Sequence, residues 1–161
     1  MIVRPARIED VANIVALIRR LAAFEHSSHA VVLTEEMVRR DCFGEQPRFR
    51  VLLAEADGCV RGLVTLLETY SSWAGAPTMI VHDLYVDAEA RGHGLGKALM
   101  AAVARLAMER ECCRVDVNVL AWNTTARTFY ETLGFFPRED WLPYRLETGG
   151  IKKLVHSVPE G

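Results

Sequence analysis

Hydrophobic and polar positions recur with two different periods along this chain, which predicts a mixture of helices and strands. Between residues 9 and 25, apolar side chains stand three and four positions apart, at Val11, Ile14, Val15, Ile18, Leu21 and Ala22. Between residues 95 and 110 they do so again, at Leu95, Ala98, Leu99, Ala102, Val103 and Leu106. That spacing covers one face of a helix, whereas residues 114–120 alternate apolar and polar side chains as a half-buried strand does.

The remaining segments extend the predicted order to β-α-α-β-β-β-α-β-α-β. Other strands are predicted over residues 1–7, 51–56, 61–70, 79–86 and, once or twice, within 135–146. Thr34 and Asn123 are favoured N-cap residues and predict a helix after each, and a short last helix is predicted over residues 151–155. This order predicts a single mixed α/β domain over residues 1–155, followed by a flexible tail over residues 156–161.

The composition is that of a globular protein, and its acidic and basic residues nearly balance. The chain has 161 residues, of which 50% are hydrophobic and 25% charged, and its formal net charge is -2. Without a basic surplus no nucleic-acid partner is expected, and no apolar run approaches the roughly 18 residues of a membrane span. The opening MIVRPARIED lacks the apolar core of a secretion signal. The four cysteines form no CxxC pair and are expected to be reduced, so a cytoplasmic location is predicted.

A glycine-rich segment follows the strand over residues 79–86 and opens the next helix. It reads Arg91, Gly92, His93, Gly94, Leu95, Gly96 and Lys97, so five of its seven residues are glycine or basic. Glycines let the chain turn sharply and let a ligand approach the backbone, and a helix start offers unpaired N–H groups and a positive dipole end. The segment is therefore predicted to seat a phosphate or pyrophosphate rather than to be a helix start without a ligand.

Two common phosphate-binding motifs do not fit this segment. A Walker P-loop has a glycine where this chain has Arg91, and a Ser or Thr where it has Ala98. A dinucleotide fingerprint, GxGxxG, would need its third glycine at Lys97 or at Leu99. Nucleotide hydrolysis and dinucleotide binding are therefore disfavoured.

Arg91-Gly92-x-Gly94-x-Gly96 after an apolar strand resembles the acetyl-CoA signature of the GNAT superfamily of N-acetyltransferases. The resemblance extends over nearly the whole chain. Within the superfamily, the segments LTEEMVRRDCFGEQPRFRVLLAE, DLYVDAEARGHGLG and AWNTTARTFYETLGF resemble the diamine (spermidine/spermine) acetyltransferase branch. The resemblance implies an acetyl-CoA-dependent enzyme that acetylates a primary amine of a small molecule and forms a homodimer.

The resemblance also implies main-chain roles around the glycine-rich segment. Backbone amides of residues 91–97 would hold the CoA pyrophosphate. The main chain of Leu84, Tyr85 and Val86 would pair with the pantetheine arm like an added strand. This strand and the one over residues 114–120 would splay apart in the centre of the sheet and open the slot for the cofactor.

Three residues of the helix predicted after residue 122 complete the implied cofactor site. Asn123 would bond the cofactor arm, Phe129 would contact the cofactor, and Tyr130 would also lie near the thioester sulfur. A free thiol has a pKa near ~8.5 and a tyrosine near ~10, so full proton transfer from Tyr130 is uphill by about 2 kcal/mol. Tyr130 is therefore expected to stabilise the leaving thiolate by hydrogen bonding as much as by protonating it.

His82 and Asp83 are polar residues in an otherwise apolar strand and are the candidates for proton transfer and substrate binding. Consecutive strand residues face opposite ways, so both reach one cleft only at a bulge, which the family commonly has here. The diamine branch would have a glutamate at His82, so this chain loses a negative charge and gains a group that titrates near ~6.5. Glu25 is a further candidate substrate carboxylate. An amino-acid-like amine such as thialysine therefore fits as well as a polyamine.

Three alternatives stand beside this prediction. His26 and His29 suggest a metal, but no third ligand of known geometry accompanies them, so a polar loop without metal is expected. A protein N-terminal or lysine acetyltransferase stays open, because a peptide groove leaves no mark in a single sequence. A non-catalytic acetyl-CoA-binding module would be expected to have lost the glycines or Tyr130. No cysteine or serine stands at the motif as a nucleophile, so direct transfer to the amine is expected.

Overall fold

The computed structural model describes residues 1–157, which form five strands and five helices. The strands are β1 (Ile2–Pro5), β2 (Arg50–Ala56), β3 (Cys59–Ser71), β4 (Ala76–Val86) and β5 (Val115–Val117). The helices are α1 (Val11–Phe24), α2 (Glu35–Phe43), α3 (Leu95–Glu109), α4 (Thr124–Thr132) and α5 (Thr148–Val155). Short 3-10 turns cover Ile8–Asp10, Ser28–Ala30 and Ala88–Ala90. The chain divides into two compact units, Met1–Ala121 and Trp122–Gly161, and the whole sheet belongs to the first.

The five strands form one sheet in sequence order, β1-β2-β3-β4-β5. The first four are antiparallel neighbours, and β5 runs parallel to β4 after the α3 crossover. Asp57, with a φ of 52°, and Gly58, with a φ of 75°, form the tight turn between β2 and β3. The predicted mixed α/β class is confirmed, as are the five strands predicted before residue 121, although β5 is shorter than its alternation indicates.

The contact between β4 and β5 is short. Their register joins Met79 to Val115, Ile80 to Asp116 and Val81 to Val117, whereas β4 continues to Val86. The pairing stops beside a bulge in β4, and a bulge bends its strand and increases the local twist. The predicted parting of these two strands is confirmed, because among the described strands only β3 borders the last part of β4. It lies at the edge of the described sheet and not in its centre, because β5 is the last strand in the order.

Helices cover both faces of the sheet and bury its apolar residues. On one face, α1 and α2 pack on β2, β3 and β4 through Val11, Ile14, Leu17, Val38, Val51, Leu53, Leu63 and Tyr85. On the other face, α3 contributes Leu95, Leu99, Met100, Val103 and Ala107. A Cβ at Gly62 would lie 2.9 Å from the Tyr85 carbonyl oxygen and 3.4 Å from Leu99 Cδ1. Glycine at this position therefore permits the close approach of the β4 backbone at Tyr85.

A charged cluster ties β1 to β2 and to the start of α1. The Arg4 guanidinium donates to both carboxylate oxygens of Asp10, at 2.7 Å and 2.9 Å, and its Nε donates to Glu55 at 2.7 Å. Asp10 is buried and accepts a further bond of 2.8 Å from the Arg7 N–H. A buried carboxylate needs such partners, so the cluster holds the first turn of α1 against the edge of the sheet.

The second unit begins with the predicted capped helix. The Asn123 side chain accepts a bond of 3.0 Å from the Ala126 N–H, which makes Asn123 the N-cap of α4. Gly134, with a φ of 91°, follows the end of this helix, where a left-handed residue is common. The Phe135 N–H donates back to the Tyr130 carbonyl oxygen at 3.1 Å. The predicted start of α4 is therefore confirmed.

The strands predicted within residues 135–146 are wrong, because residues 135–147 form neither strand nor helix. Pro137 and Pro143 each remove a backbone N–H and fix φ, so neither can belong to a continuous ladder. Residues 138–140 between them are all charged. The apolar residues of this segment suggested strands, but the two prolines interrupt any strand that they could form.

The described chain ends with a helix and a turn. α5 begins at Thr148, ahead of its predicted start at residue 151, and none of its residues is buried. The predicted tail covers residues 156–161. His156 and Ser157 form a turn after α5, and residues 158–161 lie outside the described part of the chain.

Candidate active site

The glycine-rich segment forms the turn between the sheet and α3. Gly92 has a φ of 79° and Gly94 a φ of 83°, in the left-handed region that glycine adopts without strain. Gly94 is the N-cap of α3 and has no capping side chain, so the first-turn N–H groups of Leu95, Gly96 and Lys97 point into this turn. The turn therefore has the geometry of an anion seat at a helix N-terminus, and its predicted role in pyrophosphate binding stays a prediction.

The Arg91 side chain anchors the turn to the rest of the first unit. Its Nε donates to the Val86 carbonyl oxygen at 3.0 Å. Its guanidinium carbon lies 4.8 Å from the centroid of the Phe24 ring and 5.6 Å from that of the Tyr85 ring. The Arg91 N–H donates to the Ala88 carbonyl oxygen at 3.3 Å. These cation–π contacts and hydrogen bonds hold the loop against β4 and the end of α1.

His93, Leu95 and Lys97 take different places around the same turn. His93 Nδ1 lies 2.9 Å from the Arg91 carbonyl oxygen, and because a carbonyl only accepts, Nδ1 carries the proton. The Leu95 side chain is buried in the core, so only its main chain can serve a ligand. Lys97 is exposed in the first turn of α3, where its ammonium can reach an anion held there.

Asp87 supports the turn and was not predicted as a site residue. It is buried, and both its carboxylate oxygens accept from Arg20 Nη1 at 2.9 Å, while Arg61 Nη1 lies 3.8 Å away. Its carbonyl oxygen accepts the Ala90 N–H at 2.9 Å. An acidic residue directly after a strand is an ordinary pattern, so only its arginine partners, which are distant in the chain, reveal this role.

β4 carries the predicted bulge at His82. Thr65 of β3 lies opposite Asp83 and Leu66 lies opposite Val81, so His82 is the extra residue on β4. The bulge lets two consecutive side chains meet, and His82 Nδ1 lies 3.2 Å from Asp83 Oδ2. The structure thus brings together the two predicted proton-transfer candidates, which a regular strand would have directed to opposite faces.

Thr65, His82 and Asp83 form one hydrogen-bonded group. Thr65 Oγ1 donates to Asp83 Oδ2 at 2.5 Å and accepts from the Asp83 N–H at 3.0 Å. Burial favours a higher pKa for Asp83, but the hydrogen bonds from His82 and Thr65 and the charge of His82 outweigh it and lower that pKa. The hydrogen bond to Asp83, and then its charge, raise the pKa of His82 against the effect of burial. Thr65 was not predicted, because a threonine within a strand is ordinary.

Glu25 and Asp83 line one cavity of about 190 Å³. The cavity lies between the second half of α1, the segment that follows it, and β4. Its other lining residues are mostly apolar: Ile18, Leu21, Ala22, Ser27, Ala30 and Val31. Burial raises the pKa of Glu25, and the negative charge of Asp83 raises it further. Two of the predicted substrate residues therefore share a cavity, and the third, His82, contacts Asp83.

The main chain of Leu84, Tyr85 and Val86 lies beyond the point at which β4 and β5 part. On one side these three residues pair with β3. On the other side the described chain offers them no partner in β5, because the parallel register stops at Val81. Such an edge can accept an added strand, which is the role that the resemblance implies for it. The Tyr85 side chain is buried in the core, so its main chain alone can serve a cofactor.

Asn123, Phe129 and Tyr130 belong to the second unit. Capping α4 uses the Asn123 side-chain oxygen, and its amide nitrogen carries two further donors. The Tyr130 side chain is buried, with its ring edge-on to Phe129 and Phe135 at centroid distances of 5.3 Å and 5.4 Å. These contacts fix the direction of the phenol within the unit. The roles of the three residues toward a cofactor stay predictions.

The described residues include no group of three or more His, Cys, Asp or Glu placed to hold a metal ion. Across residues 1–157, the helices are all too short or too polar to cross a membrane. The four cysteines are free thiols, and burial raises the pKa of Cys42 to about 11. A thiol with so high a pKa carries little thiolate at neutral pH, so Cys42 is unsuited to nucleophilic catalysis.

The splayed sheet, the bulged β4 and the glycine-rich start of α3 define a class of protein. A model of the Acetyltransferase (GNAT) family matches residues 14–135. The chain belongs to this family and is an acyltransferase enzyme. The family uses acetyl-CoA as cosubstrate.

Two relatives and one solved structure show which known proteins this chain is similar to. The chain is 35% identical over 166 residues to thialysine N-epsilon-acetyltransferase of Sus scrofa, covering 96% of this chain and 97% of the relative. It is 30% identical over 139 residues to spermidine/spermine N(1)-acetyltransferase-like protein 1 of Homo sapiens, covering 82% of this chain and 20% of that protein. An integron cassette protein from the mobile metagenome of V. cholerae has the same fold, with a TM-score of 0.80 and 25% identity over 96% of each chain. The predicted family resemblance is confirmed.

Proposed function

We propose that this protein is an acetyl-CoA-dependent N-acetyltransferase whose acceptor is the primary amine of a small molecule with a cationic alkyl arm. An amino-acid-like amine such as thialysine has that chemistry, and so does a diamine or polyamine. The observation that carries the proposal is the cavity shared by Glu25 and Asp83. The names of the relatives, which include thialysine and spermidine/spermine acetyltransferases, support the same class of acceptor.

The cavity favours a single ammonium group on a short apolar chain. Two carboxylates attract and orient a cation, while side chains such as Ile18 and Leu21 pack against methylene groups. This combination of carboxylates and apolar side chains suits one aminoalkyl arm.

His82 and Asp83 offer a route for the amine proton. An alkyl ammonium has a pKa near ~10.4, so freeing its lone pair at pH 7 costs roughly 4–5 kcal/mol. Because Asp83 Oδ2 accepts from His82 Nδ1, the neutral imidazole holds its proton on Nδ1 and presents Nε2 as an acceptor. The raised pKa of His82 strengthens it as a base near neutral pH. We assign His82 as the proton acceptor and Asp83 as the carboxylate that orients it.

Acetyl-CoA would supply the acetyl group, activated as a thioester. In the first unit, we assign its pyrophosphate to the turn of residues 91–97 and its pantetheine arm to the open edge of residues 84–86, which have suitable main-chain geometry. In the second unit, Asn123, Phe129 and Tyr130 keep the cofactor roles that the family resemblance implies.

The proposed transfer is direct, without an acyl-enzyme. The amine nitrogen forms a bond to the acetyl carbon as the carbon–sulfur bond breaks. The amine proton passes to His82 or to water, and the thiolate takes a hydrogen bond or a proton from Tyr130. An acetylated protein trapped on the reaction path by mass spectrometry would contradict this order of events.

The test is release of free CoA from acetyl-CoA with a panel of acceptors: thialysine, lysine, putrescine, spermidine and a short peptide with a free N-terminus. Turnover of a small amine, with a KM that rises in Glu25→Gln while the KM of acetyl-CoA stays constant, would support the proposal. Turnover of the peptide alone would favour the alternative, a protein acetyltransferase. If calorimetry found no acetyl-CoA binding, the assignment of residues 91–97 would be wrong.

Three broader features belong to the same proposal. We propose that residues 1–155 act as one family domain. A homodimer is supported by the family resemblance and by exposed apolar side chains in the second unit, including Phe136, Trp141 and Leu142. Sedimentation velocity at several concentrations measures it, and a monomer at every concentration would contradict it. A cytoplasmic location is supported by the four free thiols.

A further inference from the structure

The hydroxyl of Thr65 bonds two different parts of one residue. Thr65 lies on β3 opposite Asp83, next to the bulge, and is 3% exposed. Its Oγ1 accepts from the Asp83 main-chain N–H at 3.0 Å and donates to Asp83 Oδ2 at 2.5 Å. A hydroxyl has one proton and two lone pairs, so a single group can make both bonds at once.

The directions of these two bonds follow from the chemistry of the partners. A main-chain N–H only donates and an ionised carboxylate only accepts, so the Thr65 proton must point at Asp83. The two bonds join the backbone and the side chain of Asp83 through one buried oxygen atom. This arrangement fixes the backbone beside the bulge and the direction of the Asp83 carboxylate together.

The same arrangement decides which carboxylate oxygen is used. Thr65 and His82 both bond Asp83 Oδ2, with His82 Nδ1 at 3.2 Å. Within residues 1–157, Asp83 Oδ1 takes no hydrogen bond, and Asp83 lines the cavity that it shares with Glu25. One oxygen of Asp83 therefore holds the imidazole, and the other is left for a cation.

We propose that Thr65 is the positioning residue of the acceptor site: its buried hydroxyl holds the Asp83 carboxylate so that one oxygen orients His82 and the other receives the substrate ammonium. This inference rests on the proposed function and names a residue outside the predicted site. Thr65 acts through Asp83, which it bonds, and it is not among the residues that line the cavity.

Among residues 1–157, the charged groups that act on this site come from two elements. His82 shares β4 with Asp83, and Glu25 faces Asp83 from the end of α1. β3 contributes Thr65, which does not titrate. Loss of the hydroxyl removes a donor from the carboxylate and loosens its contact with His82. The pKa of Asp83 then rises, and the pKa of His82 falls toward its ordinary value.

The experiment compares Thr65→Val, which keeps the shape of the side chain, with Thr65→Ser, which keeps the hydroxyl. Thr69→Val is the matched control, because Thr69 lies on the same strand and its Oγ1 bonds Thr78 Oγ1 at 2.6 Å, away from the bulge. The first readout is the pKa of His82, measured by NMR titration without substrates and assigned with His82→Gln. The second is kcat and KM for the best amine of the panel.

For Thr65→Val we expect a lower His82 pKa and a fall in kcat/KM for the amine of about ten-fold, which is about 1.4 kcal/mol. The KM of acetyl-CoA should stay constant. Thr65→Ser should restore the His82 pKa and most of kcat/KM, and Thr69→Val should change neither. A purely structural role for Thr65 would not produce rescue by serine together with a shift in the pKa of His82.

The inference is overturned if Thr65→Val leaves both readouts unchanged in an active enzyme, or if Thr65→Ser is as impaired as Thr65→Val. If Thr65→Val does not fold, Thr65→Ala removes the same hydroxyl without placing a methyl group beside the carboxylate, and the same two outcomes apply. If the wild type turns over no amine, the proposed function fails by itself. The His82 titration then still decides whether Thr65 controls the His82–Asp83 pair.

Discussion

One substitution distinguishes the contribution of the Tyr130 hydroxyl from that of its ring. Tyr130→Phe keeps the edge-on contacts with Phe129 and Phe135 and removes only the phenol oxygen. We expect kcat to fall about ten-fold or more, since one transition-state interaction of about 1.4 kcal/mol is lost, while calorimetric acetyl-CoA affinity changes little. Tyr144→Phe is the control, because Tyr144 is 93% exposed in the same unit. An unchanged kcat would remove Tyr130 from the chemistry.

Asp83→Asn should move the acid limb of the pH profile of kcat/KM to lower pH. The hydrogen bond to Asp83, and then its charge, raise the pKa of His82, and asparagine keeps the shape of the side chain without the charge. Because the neutral form of His82 accepts the proton, the acid limb of kcat/KM follows its pKa. We therefore expect this limb at lower pH in the variant, with a lower plateau.

The measurement for Asp83→Asn is kcat/KM from pH 5 to pH 9 at saturating acetyl-CoA. Asp57→Asn is the matched control, because Asp57 is an exposed turn residue whose positive φ asparagine also tolerates. The control should keep the acid limb of the wild type. An acid limb that stays in place in Asp83→Asn, or moves to higher pH, would show that His82 is not the base under Asp83 control.

Individual site residues could be predicted where their polarity differed from that of their neighbours in sequence. His82 and Asp83 could be found because two polar residues interrupt an apolar strand. Thr65 and Asp87 could not, because each is ordinary in its local sequence and gains its role from partners distant in the chain. Thr65 meets Asp83 only through the register of β3 on β4, and no single-sequence pattern fixes a register to one residue.

At the scale of elements, the start of α3 depends on the left-handed conformation of Gly94. Its φ is 83°, and no atom lies within 4 Å of a Cβ built there, so an alanine would meet backbone strain but no steric clash. Gly94→Ala should therefore cost about 1–2 kcal/mol of stability. If the strain reorients the first-turn N–H groups, acetyl-CoA affinity should fall by about ten-fold or more, measured by calorimetry.

Gly75 provides the matched control for this substitution. Its φ is 63°, a Cβ there would also meet open space, and it lies in the turn between β3 and β4. Gly75→Ala should cost a similar amount of stability in urea unfolding and leave acetyl-CoA affinity unchanged. Acetyl-CoA affinity equal to that of the wild type in both variants would show that the turn of residues 91–97 does not seat the cosubstrate. Equal losses of affinity would show an indirect effect of stability.

Whole elements were predictable where periodicity and end signals agreed. α3 combines a helical apolar stripe with a glycine start, and α4 combines the Asn123 cap with Gly134 at its end. Residues 135–147 carry apolar side chains without such agreement, and the prolines at 137 and 143 prevent a ladder. β5 is short because its partner bends away at the bulge, a tertiary feature that alternation within residues 114–120 cannot report.

At the scale of the whole molecule, the class of fold followed from the order of elements and from the family resemblance. The packing of two helices on one face of the sheet and one on the other did not follow from periodicity, which says that a helix has a buried face but not what covers it. The Arg4–Asp10–Glu55 cluster likewise joins segments that are far apart in sequence. The contribution of this cluster to stability therefore depends on the assembled fold, so it is measured by global unfolding.

Asp10 should make the stability of the fold depend on acid. The hydrogen bonds from Arg4 lower the pKa of Asp10, burial opposes this, and the Arg7 N–H lowers it again, with a net decrease. A carboxylate whose pKa is lower in the folded state stabilises the fold above its unfolded pKa of about 3.9. That contribution is lost as the pH falls through the folded pKa. Below that value the protonated Asp10 no longer forms an ion pair with Arg4.

Asp10→Asn tests this assignment by urea unfolding at pH 7 and at several values down to pH 2.5. At pH 7 we expect the variant to be less stable by about 1.5–3 kcal/mol, the range for a hydrogen bond to a charged group. The difference should shrink below pH 4, because protonation removes from the wild type the interaction that the variant already lacks. Asp140→Asn should show no such difference, because the Asp140 side chain is 72% exposed beside Arg138. A difference that stays constant down to pH 2.5 would mean that Asp10 stabilises the fold through its shape and its Arg7 bond, and that its charge contributes nothing.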